Sequence, residues 1–142
     1  MSQLYIAYGS NMNLDQMKYR CPKAKVVGKA LLKGYELEFR SVATIVPNKN
    51  EAAPVLIWDI TKACEEALDR YEGYPNLYRK EYIQLDWDGE LVEAMVYIMN
   101  REGRSMPSQS YYDGIKEGYI TAEFGQTELD YLASKARKAA AR

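Results

Sequence analysis

An α+β fold with a mixed, curved or barrel-like sheet is predicted for this chain of 142 residues. Strand patterns fill its middle, and helical spacing falls at three separate places. The two do not alternate strictly, as a doubly wound parallel fold would require. The length suits one hydrophobic core, so residues 1–142 are expected to form a single domain.

The chain opens on a mostly apolar run around Tyr5, Ile6 and Tyr8, which reads as a strand with little water on either face. It stops at Gly9-Ser10-Asn11, and Leu14 and Met17 then recur at helical spacing over residues 14–19, with Asn13 or Asp15 near the first turn. Pro22 ends that helix. Residues 24–32 read as a strand with Gly28 as a bulge or a point of close approach, and Gly34 reads as a turn. Tyr35, Leu37 and Phe39 then alternate with Glu36, Glu38 and Arg40, a half-buried pattern with the charged residues facing outward. Residues 42–46 continue as strand, 47–51 are a polar loop, and the apolar run 55–58 is a central strand.

Thr61 can cap a helix that places Ala63, Cys64, Ala67, Leu68 and Tyr71 on one face and delivers Glu72-Gly73 at its end. Residues 78–87 and 90–99 are strands joined by Asp88-Gly89, a strong hairpin signal. After a polar loop over 100–107, Tyr111, Ile115 and Tyr119 mark one helix. Leu129, Ala133, Ala136 and Ala140 mark a second, capped by Thr127 or Gln126.

Composition excludes several classes. A formal charge of −1 exerts no overall pull toward nucleic acid or anionic lipid. The expectation is therefore a small-molecule partner, with neither nucleic acid nor membrane, and an oligomeric state left open between monomer and homodimer. No apolar run reaches the roughly 20 residues of a membrane span and no leader pattern stands at the N-terminus, so a soluble, cytoplasmic protein is expected. Cys21 and Cys64, far apart in sequence and without a CxxC, are expected to be reduced thiols, with Cys64 in the core. Histidine is absent, which removes Ser-His-Asp and Cys-His catalysis and the usual ligands of a catalytic zinc; no metal site is expected.

Two features can carry chemistry. The loop Tyr8-Gly9-Ser10-Asn11-Met12 is neither GxGxxG nor a P-loop. It is either an ordinary turn or a place where backbone N–H groups meet an anion or a developing oxyanion. Glu72 follows the apolar helix face, precedes a glycine and has Tyr71, Tyr74 and Tyr78 near it in sequence. It is either solvated at a helix end, where its charge opposes the helix dipole, or desolvated, with a pKa raised toward neutrality. The 13 tyrosines are expected to serve mainly in packing.

Taken together, the Tyr8-Gly9-Ser10-Asn11 loop, Leu68-Asp69-Arg70-Tyr71-Glu72-Gly73 and the following Tyr78-Arg79 resemble the γ-glutamylcyclotransferase family and its avirulence-induced-gene-like relatives. Ala43-Thr44-Ile45, the strand ending at Trp58, and Tyr111, Ile115 and Gly118 extend the likeness over most of the chain; Val55 departs from it, standing where relatives usually carry glycine. The resemblance implies a small mixed β-barrel with flanking helices. It also implies a cofactor-independent enzyme of acyltransferase or amidine-lyase type that cyclises γ-glutamyl amino acids or amines to 5-oxoproline. Tyr8, Gly9, Ser10, Asn11, Met12 and Tyr111 would bind substrate, and Glu72 would be the general acid/base. The alternative is a non-catalytic binding or regulatory module that keeps the pocket.

Overall fold

A strand buried on both faces must lie inside a sheet, and the first strand does. In a computed structural model, which describes residues 3–141, β1 (Gln3–Ala7) sits at the centre of a five-stranded sheet. The other strands are β2 (Lys25–Arg40), β3 (Val42–Ile60), β4 (Tyr78–Trp87) and β5 (Glu90–Met99), and the spatial order is β2-β3-β1-β5-β4. β1 pairs antiparallel with β3 and parallel with β5 through Tyr5 opposite Met95. The helices are α1 (Leu14–Arg20), α2 (Lys62–Glu72), α3 (Gln109–Thr121) and α4 (Gln126–Ala140). Tyr5, Ile6, Ala7, Phe39, Ile57, Met95 and Tyr97 lie in one core with Ile115, Tyr119 and Leu132 from the last two helices.

The expected barrel is open at one seam. β2 and β4 are the sheet's edges, and curling brings them close enough for Trp87 on β4 to cover Gly28 on β2, where a Cβ would come within 2.6 Å of the indole. Gly28 also borders a bulge, since the register with β3 shifts between Val26 and Gly28 and leaves Val27 unpaired.

The long β2-β3 hairpin corrects three expectations. Gly34 is not a turn; it sits inside β2 with φ +88°, beside a register shift between Lys33 and Tyr35. Residues 47–51 are not a separate loop either, because Tyr35 pairs with Pro47 and Lys33 with Ala52, so 48–51 form an excursion within β3. The chain reverses instead at Ser41, whose φ is +72° and whose N–H donates to the Ser105 carbonyl at 3.0 Å. Residues 42–46 thus return alongside 35–40 rather than continuing them.

Capping follows local chemistry at α1 and α2: Asn13 accepts from the Gln16 N–H and Thr61 from the Cys64 N–H, each at 3.1 Å. Asp88 and Gly89 both take positive φ in the predicted hairpin turn. Cys21 and Cys64 are free and buried, and the Cys21 thiol donates to the Cys64 carbonyl at 3.4 Å. Burial pushes the Cys21 thiol up to about 12.

The N-cap of α4 is Gly125, whose N–H donates to Glu128 at 2.9 Å, rather than Thr127 or Gln126. The inward face of α4 is centred beside the predicted stripe: Leu132, Lys135 and Ala139 are buried, Leu129 and Ala136 pack against the core at its side, and Ala140 is exposed. The cause is Glu36. Its carboxylate points under α4 instead of into solvent, only 4% exposed, with Lys135 at 2.7 Å, Lys138 also bound and Asn48 donating at 3.1 Å.

Burial alone would raise the Glu36 pKa, but these partners outweigh it and hold the carboxyl at about 2, below its usual 4.5. A depressed carboxylate pKa contributes stability that is full above the unfolded value and is lost as pH falls through the folded one. Glu36→Gln should therefore cost about 3 kcal/mol at pH 7, the scale for removing one partner of a buried pair. In urea denaturation that penalty should shrink between pH 4.5 and pH 2; an equal penalty at both ends of the window would show that the pair contributes no charge-dependent stability.

Candidate active site

Beyond Ala7 the chain leaves the sheet, and residues Ser10–Met12 wind a single 3-10 turn before Asn13 starts α1. That turn spends the N–H groups of Met12 and Asn13 on the carbonyls of Gly9 and Ser10. The amides of Gly9, Ser10 and Asn11 find no acceptor among the described residues. Three successive free amides are the arrangement that holds an anion or an oxyanion.

Neighbouring elements fix the loop. Trp58 on β3 donates its indole N–H to the Asn11 carbonyl at 3.0 Å. Asn13 donates to the Gly114 carbonyl and to Glu117 on α3. Gly118 brings α3 so close that a Cβ there would lie 2.8 Å from the Met12 carbonyl carbon. Gly9 itself faces Ala43 and Tyr111, at 3.2 and 3.3 Å from where a Cβ would stand.

Glu72 arrives from the other side as the last residue of α2, which Gly73 ends in a left-handed conformation (φ +68°). Loop and carboxylate meet at a small cavity lined by Tyr5, Tyr8, Gly9, Ser10, Asn11, Ala43, Glu72, Tyr78, Tyr97 and Tyr111. An outer hollow shares Ser10, Glu72, Tyr78 and Tyr111 with it and adds Val42, Tyr71 and Leu77. Of the residues expected at the site, Glu72, Tyr8, Gly9, Ser10, Asn11 and Tyr111 come together. Met12 does not line the cavity; it is fully buried beneath α3.

Tyr78, near Glu72 in sequence, lines the cavity with it, and Tyr5, Tyr97 and Ala43 join the lining without a site role in the sequence reading. The tyrosines here are more than packing, because their hydroxyls hold the wall together. Tyr8 donates to the Tyr97 carbonyl and Tyr78 to the Ala43 carbonyl, each at 2.6 Å, while Tyr111 accepts from the Ala43 N–H at 2.9 Å. Tyr97 donates to Asp69 at 2.6 Å, and Asp69 also binds Lys80. The signal available in sequence was a phenol inside otherwise apolar strands, since a buried hydroxyl needs a partner.

Among the described residues nothing hydrogen-bonds the Glu72 carboxylate. Burial in this tyrosine-walled space pushes its pKa from 4.5 up to about 7, against the opposing pull of the Arg20 charge. The five tyrosines of the cavity stay protonated, each held above its ordinary value first by burial. Glu72 is therefore the cavity group poised to exchange a proton near neutral pH.

The sequence profile of the family described as gamma-glutamyl cyclotransferase, AIG2-like, matches residues 5–117. The chain belongs to that family. Among relatives, a human protein named gamma-glutamylcyclotransferase is 25% identical over 141 residues, covering 87% of this chain and 75% of its own length. A bovine protein of the same name is 25% identical over 122 residues, 78% of this chain, and there the chain spans only 58% of its relative's length. A solved structure titled gamma-glutamyl cyclotransferase superposes with a TM-score of 0.86 at 22% identity, over 94% of this chain and 88% of that one. It establishes the shared fold.

Two outcomes are expected for the site of this cyclotransferase-family member. Gly9→Val should close the cavity against Tyr111 and Ala43, so isothermal titration should lose any ligand that the wild type binds there, while circular dichroism keeps the native spectrum. Ligand binding equal to wild type would show the loop to be only a turn. A carboxyl whose folded pKa exceeds its unfolded value withdraws stability as pH rises between the two. Over the 4.5 to 7 window Glu72→Gln should become progressively more stable than wild type. The gain should reach about 2 kcal/mol at pH 8 and vanish near pH 4. A flat difference across that range would mean that the carboxylate is solvated.

Proposed function

We propose that this family member cyclises γ-glutamyl amino acids or γ-glutamyl amines to 5-oxoproline, releasing the free amino acid or amine. The observation that carries the proposal is a desolvated carboxylate, Glu72, placed in one small cavity with a loop of unpartnered amides. That pairing suits a reaction whose nucleophile belongs to the substrate.

In a γ-glutamyl compound the α-amine reaches the γ-carbonyl carbon by closing a five-membered ring, so no protein nucleophile is required. Confining the glutamyl chain supplies proximity, for which effective molarities on the order of 10⁵ M or more are known. Glu72 takes a proton from the α-ammonium, and the freed amine attacks to form a C–N bond. The γ-oxygen becomes an oxyanion, which backbone amides of Gly9, Ser10 or Asn11 can stabilise. Collapse breaks the original C–N bond, and Glu72 returns its proton to the departing nitrogen. The ring nitrogen gives up its second proton as the lactam forms, and the released amine takes it to leave as its ammonium, so the protons balance without a cofactor.

A carboxyl with a pKa of about 7 suits both halves of that cycle, since it is a stronger base than an ordinary glutamate and still gives its proton back near neutrality. The leaving group would sit in the outer hollow beside Val42, Tyr71 and Leu77. The experiment is a panel of γ-glutamyl amino acids and γ-glutamyl amines scored for 5-oxoproline. Turnover should rise with pH through about 7. Glu72→Gln should lower kcat by about 10² to 10⁴ with substrate binding retained. Near wild-type kcat in Glu72→Gln would exclude this mechanism, and tight binding without product across the panel would instead identify a γ-glutamyl binding module.

A further inference from the structure

Arg20 lies outside the cavity lining and belongs to no motif singled out in the sequence, yet it touches both halves of the site. Half-buried at the end of α1, its Nη1 donates to Asn11 Oδ1 at 2.6 Å and reaches Ser10 Oγ at 3.5 Å, while Nη2 donates to Gln16 at 2.9 Å. Its guanidinium stacks 3.6 Å from the ring centre of Tyr71, whose hydroxyl lies 3.1 Å from Ser10 Oγ. A planar fork with several fixed donors can hold a loop and an aromatic face at once.

The contact to Asn11 has a consequence one residue further on. A guanidinium only donates, so it holds the amide oxygen of Asn11 toward itself and turns the amide nitrogen the other way. That nitrogen donates to the Tyr5 hydroxyl at 2.9 Å, so Tyr5 accepts and its own proton is left without an acceptor among the described residues. An Asn11 amide free to flip would present its oxygen instead and take that proton out of the cavity.

We propose that Arg20 is a positioning residue for this site: its guanidinium fixes the amide of Asn11, and through it the phenol of Tyr5, and stacks on Tyr71, the residue that precedes Glu72 on α2. The other groups acting around Glu72 are neutral phenols: Tyr5 from β1, Tyr8 just beyond it, Tyr78 from β4, Tyr97 from β5 and Tyr111 from α3, and Tyr71 precedes it on α2. On the outer face of α2, Lys80 is already bound by Glu65 and Asp69. Arg20 is the cation that lowers the cost of ionising Glu72.

The kinetic arm of the test rests on the γ-glutamyl reading above, and the titration arm does not. Carbon-13 NMR of protein labelled at the glutamate carboxyls, with the Glu72 resonance assigned from Glu72→Gln, would follow its ionisation in wild type, Arg20→Gln and Arg20→Lys. Arg20→Gln should move the midpoint to higher pH, and Arg20→Lys, which keeps the charge, should leave it near wild type. Both variants lose the fork, so both should raise KM for a γ-glutamyl substrate about tenfold, with a smaller effect on kcat. Should Arg20→Gln fail to fold, Arg20→Met keeps the aliphatic stem against Tyr71 and serves in its place. Coincident midpoints in wild type and the charge-removed variant would overturn the charge role, and an unchanged KM in folded Arg20→Lys would overturn the role of the fork. A wild type that turns over no γ-glutamyl compound would remove the functional reading, while the titration would still decide whether Arg20 acts on Glu72.

Discussion

The contact between α3 and the loop after β1 is the constraint on which the site depends. Gly118 allows the helix to sit on the backbone of Met12 and Asn13, closer than any side chain would permit. Asn13 then ties the loop to the Gly114 carbonyl from the same side, and Trp58 holds the Asn11 carbonyl from β3. Held from both sides, the 3-10 turn cannot relax into a longer α1, and its first amides stay unpaired. The same docking brings Tyr111 over Gly9 and onto the Ala43 N–H, which completes the cavity wall.

Two carboxylates in this protein, Glu36 buried and Glu72 half-buried, have opposite fates, and their partners make the difference. Glu36 meets two lysines and an asparagine under α4, and its partners overcome the penalty of burial. Glu72 lies among phenols that either donate elsewhere or keep their protons, and for it the penalty prevails, eased only by Arg20 at a distance. A paired carboxylate anchors α4 across the β2-β3 hairpin; an unpaired one retains a proton affinity that can be used. Such a group is held at a cost in stability.

The tyrosine wall shows how an aromatic residue can serve both roles at once. The rings of Tyr5 and Tyr97 pack edge to face with centroids 5.8 Å apart, adding to the core, while their hydroxyls reach Asn11 and Asp69. Because Tyr8, Tyr78 and Tyr97 spend their protons on fixed acceptors, the wall presents acceptor oxygens from β4, β5 and the residue just beyond β1. The loop side presents donors, in its free amides and in the uncommitted proton of Tyr5.

The sequence by itself determined what local forces determine. Alternation and apolar runs located β1, β4, β5 and the central part of β3, Thr61 marked the start of α2, Asp88-Gly89 marked the hairpin, and the loop and Glu72 stood out as residues without an adequate packing role. Only the tertiary structure decided the rest, since the deciding partners are distant in sequence. Ser41 reverses the chain because Ser105 accepts its amide hydrogen, and Gly34 bends β2 because β3 continues past it. Glu36 turns inward because Lys135 and Lys138 lie about one hundred positions later, beyond the reach of any local pattern. Arg20 and Tyr97 join the site for the same reason: each contacts it through a side chain from another element, and alternation in a single strand or helix carries no record of that neighbour.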